Sequence, residues 1–324
     1  MCGFYQPTIP SLPSILSFAG KTIIITGGAR GIGYTASLQL LQHRLSTLIL
    51  AVRSITRGEA AAASLLHDAE VQRVNPKARI EVIELDLARF ESVKGFVGRV
   101  EQKLGGQGVD VLLLNAGINL ARWEKTVDGF ETLVLSSFLL PSSFPPISRT
   151  KTSQIEILIQ AINRLIQTNY LSNTLLSLLL LPLLSKSKSQ NPRITFVSSM
   201  GQNFTSLSPD SPQLSTPILK YFSDPAKYSK IHRYPDSKLF VALFVREFGK
   251  QLRDKKVIVN CVCPGTVDTE ADDNLPWWLR VPMNLNRRLR ARTVEDGAAA
   301  ILGAALVKGK ETQGRYVAND VISP

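Results

Sequence analysis

Cysteine and histidine are both scarce in this 324-residue chain, at three each. Cys2, Cys261 and Cys263 are too few for a disulfide framework, which points to a reduced, cytoplasmic setting. Three scattered histidines offer no cluster of the kind that holds a catalytic metal, so none is expected. Long apolar runs are missing too. Residues 1–20 are broken by Pro7, Pro10 and Pro13 and contain no stretch fit for a signal h-region; we read them as a lead-in segment. The most apolar run, Leu171 to Leu184, carries Ser177 and Pro182 and suits a buried helix rather than a bilayer span.

Acidic residues are outnumbered, 26 against 38 lysines and arginines, for a formal charge of +12. Such a surplus raises a nucleic-acid partner, but the basic residues are spread along the chain and no nucleic-acid module is visible, so none is expected. The local exception is Arg287, Arg288, Arg290 and Arg292, close behind Trp277 and Trp278. This stretch could rest on a membrane surface, yet it suits a substrate lid equally, and membrane contact is the weaker reading. An oligomer is left open. With 44% hydrophobic residues and no repeat or compositional break, residues 21–324 are expected to form one domain.

What is present is an alternation of strand-like and helix-like segments. Ile23–Thr26 leads to a helix ending near His43, Thr47–Val52 to a helix over Arg57–Val74, and Ile80–Leu85 to one over Glu91–Leu104. Val109–Asn115, a long helical region, Arg193–Ser198, a helix over Asp236–Arg253 and Val257–Val262 complete the series. Strands that are apolar throughout imply a parallel sheet buried on both faces, and the pattern predicts an α/β doubly wound sheet of about seven strands. Its ligands belong at the carboxyl ends of the strands.

At the end of the first strand stands Thr26-Gly-Gly-Ala-Arg-Gly-Ile-Gly33, just ahead of a helix. Strand, glycine turn and helix in that order are what a dinucleotide pyrophosphate needs, because glycines let the backbone approach and the helix N–H groups face the charge. The second strand ends in Val52-Arg53-Ser54, without the acidic residue that holds an NAD ribose. Arg53 and Arg30 can instead pair with a 2′-phosphate, favouring NADP(H).

The chain resembles the short-chain dehydrogenase/reductase family, in its retinol-dehydrogenase-like branch, with the Rossmann fold that membership implies. The matching motifs run in order: TGGARGIG, Asp86-Leu87, Asn115-Ala116-Gly117, Ser199, Tyr234-Pro-Asp-Ser-Lys238 and Pro264-Gly265-Thr266-Val267-Asp268-Thr269. Together they span most of the chain. Tyr234 and Lys238, four apart, share one helix face, so the ammonium can lower the phenol's pKa and hold the nicotinamide ribose. The resemblance implies catalytic roles for Asn169, Ser199, Tyr234 and Lys238, with Ser198 a rival to Ser199. It implies cofactor contacts from Thr26, Gly27, Arg30, Gly31, Ile32, Gly33, Arg53, Asp86, Leu87, Asn115, Ala116, Gly117, Tyr234, Lys238, Pro264, Gly265, Val267 and Thr269. In this pattern Asp86 would contact adenine, Asn115 would brace the sheet beside the cofactor, Asn169 would support the lysine through a water, and Thr269 would touch the nicotinamide amide.

The implied reaction interconverts a carbonyl and an alcohol on a small, apolar molecule, with Tyr234 as general acid or base. Trp277, Trp278, Leu279 and Met283 would wall the pocket, although ordinary packing of a C-terminal helix explains them as well. Two stretches break the periodicity. One, about 134–165, is rich in Ser and Pro and reads as a recent insertion or a translated intron. The other, 204–233, carries Pro209, Pro212, Pro217 and Pro225 and is expected to rim the substrate, as is 270–292. Such an interrupted chain, ending soon after Tyr316, leaves a cofactor binder without turnover as the alternative. The reductase pattern and intron-like insert suggest fungal specialised metabolism.

Overall fold

A computed structural model describes residues 6–120, 122–128, 163–208, 218–267 and 291–323. Their strands form one sheet: β1 (Thr22–Thr26), β2 (Thr47–Val52), β3 (Arg79–Glu84), β4 (Val111–Leu114), β5 (Arg193–Val197), β6 (Ile258–Cys263), β7 (Tyr316–Ala318) and β8 (Val321–Ser323). The order across it is β3-β2-β1-β4-β5-β6-β7-β8. All neighbours are parallel except β7 and β8. Chain direction across the sheet reverses between β1 and β4, which opens the crevice where ligands of doubly wound folds bind.

The helices are α1 (Gly31–Gln42), α2 (Ile55–Leu66), α3 (Ala69–Val74), α4 (Phe90–Leu104), α5 (Ser172–Ser185), α6 (Ile218–Ser223), α7 (Arg233–Gln251) and α8 (Val294–Leu302). Alternation along each strand sorts them into two layers. Ile24, Ile49, Leu112 and Ile194 face a core built with Phe96 of α4, Leu180 of α5 and Val245 of α7. Ile23, Ile25, Leu48 and Leu113 face the opposite core, with Leu40 of α1, Leu65 of α2 and Ile301 of α8. Among the described residues no helix is long and apolar enough to cross a membrane.

The structure departs from the sequence pattern at three places. The helix expected over Arg57–Val74 is split, because the Asp68 side chain accepts from the Val71 N–H at 3.0 Å and starts α3. Two strands beyond the six segments named are added, β7 parallel to β6 and β8 antiparallel to β7, the last two joined where Asn319 and Asp320 both take positive φ, 52° and 62°, the pairing a two-residue hairpin turn requires. Helix α7 starts three residues before the expected Asp236, which places Tyr234 in its first turn.

Most of the 134–165 stretch lies outside the described residues, but its two flanks meet. Lys125 bridges Asn163, the Arg164 N–H donates to the Glu124 carbonyl at 2.8 Å, and the Arg164 guanidinium pairs with the Glu124 carboxylate at 2.7 Å. Gln167 donates to Asp128 Oδ2 at 2.6 Å and bonds Thr126. The polypeptide therefore resumes beside the point it left, as a short connection would.

Candidate active site

The glycine turn is shaped by close approaches. Gly27 and Gly31 adopt φ of 70° and 52°. A side chain at Gly33 would run into the Gly27 carbonyl and stand 2.6 Å from Asn115 Nδ2. Asn115 Nδ2 donates to the Thr26 carbonyl at 3.0 Å, and the Thr26 hydroxyl accepts from the Ala116 N–H at 2.9 Å, tying the turn to the end of β4. Arg30 caps α1 without a side-chain hydrogen bond, and the first-turn N–H groups, Ile32 and Gly33 among them, have no side-chain acceptor among the described residues. These features fit a dinucleotide pyrophosphate. Arg30 and Arg53 are exposed past the carboxyl ends of β1 and β2 and form no ion pair or side-chain hydrogen bond among the described residues. Asp86, past β3, accepts from the Ala88 N–H at 3.0 Å, while Leu87 turns inward and is buried.

Beyond β4 the polar groups converge. A π-helical turn, Gln167–Leu171, precedes α5 and presents Asn169. Such turns leave carbonyls unpaired, and Asn173 Nδ2 lies 3.0 Å from the Thr168 carbonyl and 3.3 Å from that of Asn169. The buried Asn169 amide grips the Ile118 backbone twice, accepting from its N–H at 2.8 Å and donating to its carbonyl at 2.9 Å. It also donates to Ser237 Oγ at 3.1 Å, joining this turn to α7.

Lys238 is buried, and its Nζ donates to the Val197 carbonyl at 2.9 Å. Burial pulls its pKa down to about 8. A methyl group placed at Gly117 would lie 3.3 Å from Asn169 Oδ1 and 3.4 Å from Lys238 Nζ, so both atoms border the space that this glycine leaves open. Lys238 Nζ also lies 5.7 Å from the centre of the Tyr234 ring. Around Gly201 the equivalent position would be 3.2 Å from Ser199 Oγ and 3.7 Å from Tyr234 Cε1. Ser199 Oγ accepts from the Gly201 N–H at 3.0 Å. Ser198 points elsewhere: it is 3% exposed and its Oγ lies 3.4 Å from the Lys238 carbonyl.

The loop after β6 closes this side. Cys263 Sγ accepts from the Gly265 and Met200 N–H groups, each at 3.3 Å, binding the Pro264-Gly265 turn to the Ser199 loop. Val267 is buried and bridges Arg292. Thr269, Trp277, Trp278, Leu279 and Met283 lie outside the described residues, as do Arg287, Arg288 and Arg290. Arg292 does not belong to a basic surface as its sequence neighbours suggested. It is only 6% exposed and donates to the carbonyls of Pro264 and Pro7 and to Asn319 Oδ1.

Sequence reasoning also passed over Arg233, immediately before Tyr234. Its side chain is 1% exposed, with its guanidinium carbon 4.2 Å from the centre of Phe222 and 5.4 Å from that of Tyr228. One NH2 bond, to the Lys227 carbonyl at 2.7 Å, leaves Nε and NH1 buried without partners among the described residues. Burial lowers its pKa. With Asp236, which accepts from Thr205 Oγ1 at 2.6 Å and the Ser206 N–H at 3.2 Å, it fastens the loop before α7 to the helix bearing Tyr234. The local signal was Tyr221, Phe222 and Tyr228 clustered ahead of an arginine. Because two of its donors are unmet, bulk matters more than charge here. Arg233→Ala is expected to cost about 3 kcal/mol of stability and Arg233→Met less than half of that, read from urea midpoints. Equal losses would show that the cation itself is required.

A doubly wound parallel sheet with an uncapped glycine turn at its switch point defines a dinucleotide-binding α/β protein. The chain belongs to the short chain dehydrogenase family, whose model matches residues 21–139 and 225–279, and it is an oxidoreductase of that family. The short chain dehydrogenase yanD of Aspergillus niger is 36% identical over 327 residues, covering 100% of this chain and 89% of that protein. The short-chain dehydrogenase/reductase tropG of Talaromyces stipitatus is 34% identical, covering 98% of this chain and 87% of its own. Two solved structures share the fold. A short-chain type dehydrogenase/reductase from Mycobacterium marinum has a TM-score of 0.60 at 17% identity, covering 93% of this chain and 94% of that one. RhlG of Pseudomonas aeruginosa, in an active-site complex with NADP, has a TM-score of 0.61 at 20% identity, covering 95% and 97%.

Proposed function

We propose that this chain is an NADP(H)-dependent reductase, or the reverse alcohol dehydrogenase, acting on an apolar ketone or aldehyde. The observation that carries the reading is the convergence of Lys238 Nζ on Gly117, and of Tyr234 and Ser199 on Gly201, beside the glycine turn. A nicotinamide cofactor held there would supply or accept the hydride. Ser199, whose oxygen already accepts from Gly201, keeps its own proton to donate to the substrate oxygen. Tyr234 delivers a proton to that oxygen, and the nearby Lys238 ammonium stabilises the phenolate left behind. Asn169 acts through Ile118 and Ser237 and is a positioning residue.

Arg30 and Arg53, exposed at the adenosine end and unpaired among the described residues, support NADP(H) over NAD(H). The apolar residues 277–279 and 283, following the Pro264-Gly265 turn in sequence, support an apolar substrate. A role in fungal specialised metabolism is part of the proposal, and the fungal source of the relatives supports its fungal part.

NADPH oxidation with a panel of aromatic and aliphatic ketones tests the reading. Turnover is expected, and binding without turnover in folded protein would overturn it. The burial of Lys238 adds a pH signature. Its folded pKa, about 8, lies below the ordinary 10.5, so the ammonium is present below pH 8 and lost above it. Reduction is therefore expected to decline as pH rises through about 8, and Lys238→Met should remove that decline along with most of the activity. A profile flat to pH 10 would contradict the assignment.

A further inference from the structure

We infer that Gln6, from the segment ahead of the sheet, is a positioning residue for the nicotinamide end of the cofactor site; this rests on the nicotinamide-cofactor reading above. One carboxamide holds both backbone groups of Thr266: Gln6 Oε1 accepts from its N–H at 2.8 Å, and Gln6 Nε2 donates to its carbonyl at 3.1 Å. Paired bonds of this kind fix the orientation of a peptide as well as its distance. Gly265, at φ 87°, is shaped around the same contact. A side chain there would strike Gln6 Oε1 and stand 2.5 Å from the Arg292 guanidinium.

Arg292 completes the clamp. Its guanidinium donates to the Pro264 carbonyl at 3.0 Å and to the Pro7 carbonyl at 2.7 Å, while its own N–H donates to the Thr266 carbonyl at 2.9 Å. Residues 264–267 are thus gripped from the side of Gln6 and Pro7, while Cys263 Sγ ties Gly265 to Met200, next to Ser199. This turn follows the strand beside the one bearing Ser199, so its backbone borders the reacting groups rather than the adenosine end. Gln6 thereby sets how that backbone would be presented to a nicotinamide, past a strand separated by β4 and β5 from the glycine turn after β1 and from Arg53 after β2.

The test compares two ligands on the full-length protein by titration calorimetry. NADPH has a nicotinamide; 2′-phospho-ADP-ribose carries the adenosine, both phosphates of the bridge and the 2′-phosphate but no nicotinamide. Gln6→Ala is expected to weaken NADPH about tenfold and to leave 2′-phospho-ADP-ribose within about twofold of the wild type. Gln6→Glu keeps an acceptor for the Thr266 N–H but loses the donor to its carbonyl, so it should weaken NADPH by about threefold, between the wild type and Gln6→Ala. Equal changes for the two ligands in Gln6→Ala, or no change in either, would overturn the inference. A wild-type protein that binds neither ligand would overturn the cofactor reading itself, and this inference with it.

Discussion

Tyr234→Phe is expected to lower turnover about a thousandfold while leaving NADPH affinity within about threefold of the wild type. The substitution removes one oxygen and keeps the ring, which packs in the cluster formed by Leu165, Ile166, Leu171 and Phe222. It also keeps the ring beside Lys238 Nζ, at 5.7 Å in the wild type, so the lysine's bond to the Val197 carbonyl has no reason to break. What is lost is the proton that neutralises the alkoxide, a contribution of about 10²–10⁴ for a positioned general acid. Stopped-flow oxidation of bound NADPH measures the loss directly. If turnover fell less than tenfold, Ser199 or water would have to be the proton source and the assignment to Tyr234 would fail. Ser199→Ala offers a contrast, because in the proposed mechanism Ser199 donates a hydrogen bond rather than the transferred proton. It is expected to cost about a hundredfold, in the range seen when one donor to a developing oxyanion is deleted.

Much of this arrangement was legible in the chain because it is carried by local order. The glycine turn between Thr26 and Gly33 lies where a strand must hand over to a helix, and four-residue spacing places Tyr234 and Lys238 on one helix face whatever surrounds them. The choice between Ser198 and Ser199 was not legible, since both sit at the end of one strand. It depends on which serine meets α7: Ser198 lies under the Lys238 carbonyl, which leaves Ser199 beside Gly201. The residues that sequence reasoning missed make contacts between distant parts of the chain. Gln6 and Thr266 are separated by 260 positions and Arg292 and Pro7 by 285, and no local pattern marks either pair. Asn173 escaped notice for another reason, because it serves a π-turn that helical periodicity does not reveal. The break in the pattern from about residue 134 was plain in the sequence. That its flanks are joined through Glu124, Asn163 and Arg164, so that Asn169 still reaches Ile118, required the structure.

Removing both Arg30 and Arg53 is expected to lower the preference for NADPH over NADH about a hundredfold, measured as the ratio of kcat/KM for the two cofactors. The two cofactors differ by one 2′-phosphate, so any residue that changes the ratio must sense that group. The residue directly past the end of β2 is Arg53 rather than an acid that would hold a free ribose hydroxyl. Arg30 lies in the adjoining turn, past β1, and β1 and β2 pair side by side through Thr26 and Ala51. Both guanidiniums are exposed, which weakens each phosphate contact through solvent screening to about tenfold and makes the preference fall with added salt. Neither side chain contributes a hydrogen bond to the fold among the described residues, so stability should be nearly unchanged and the effect should appear in NADPH affinity alone. The single variants divide the roles. Arg53→Ala and Arg30→Ala should each lose about tenfold for NADPH and leave NADH within about twofold. A double variant that still prefers NADPH as strongly as the wild type would show that other residues select the phosphate.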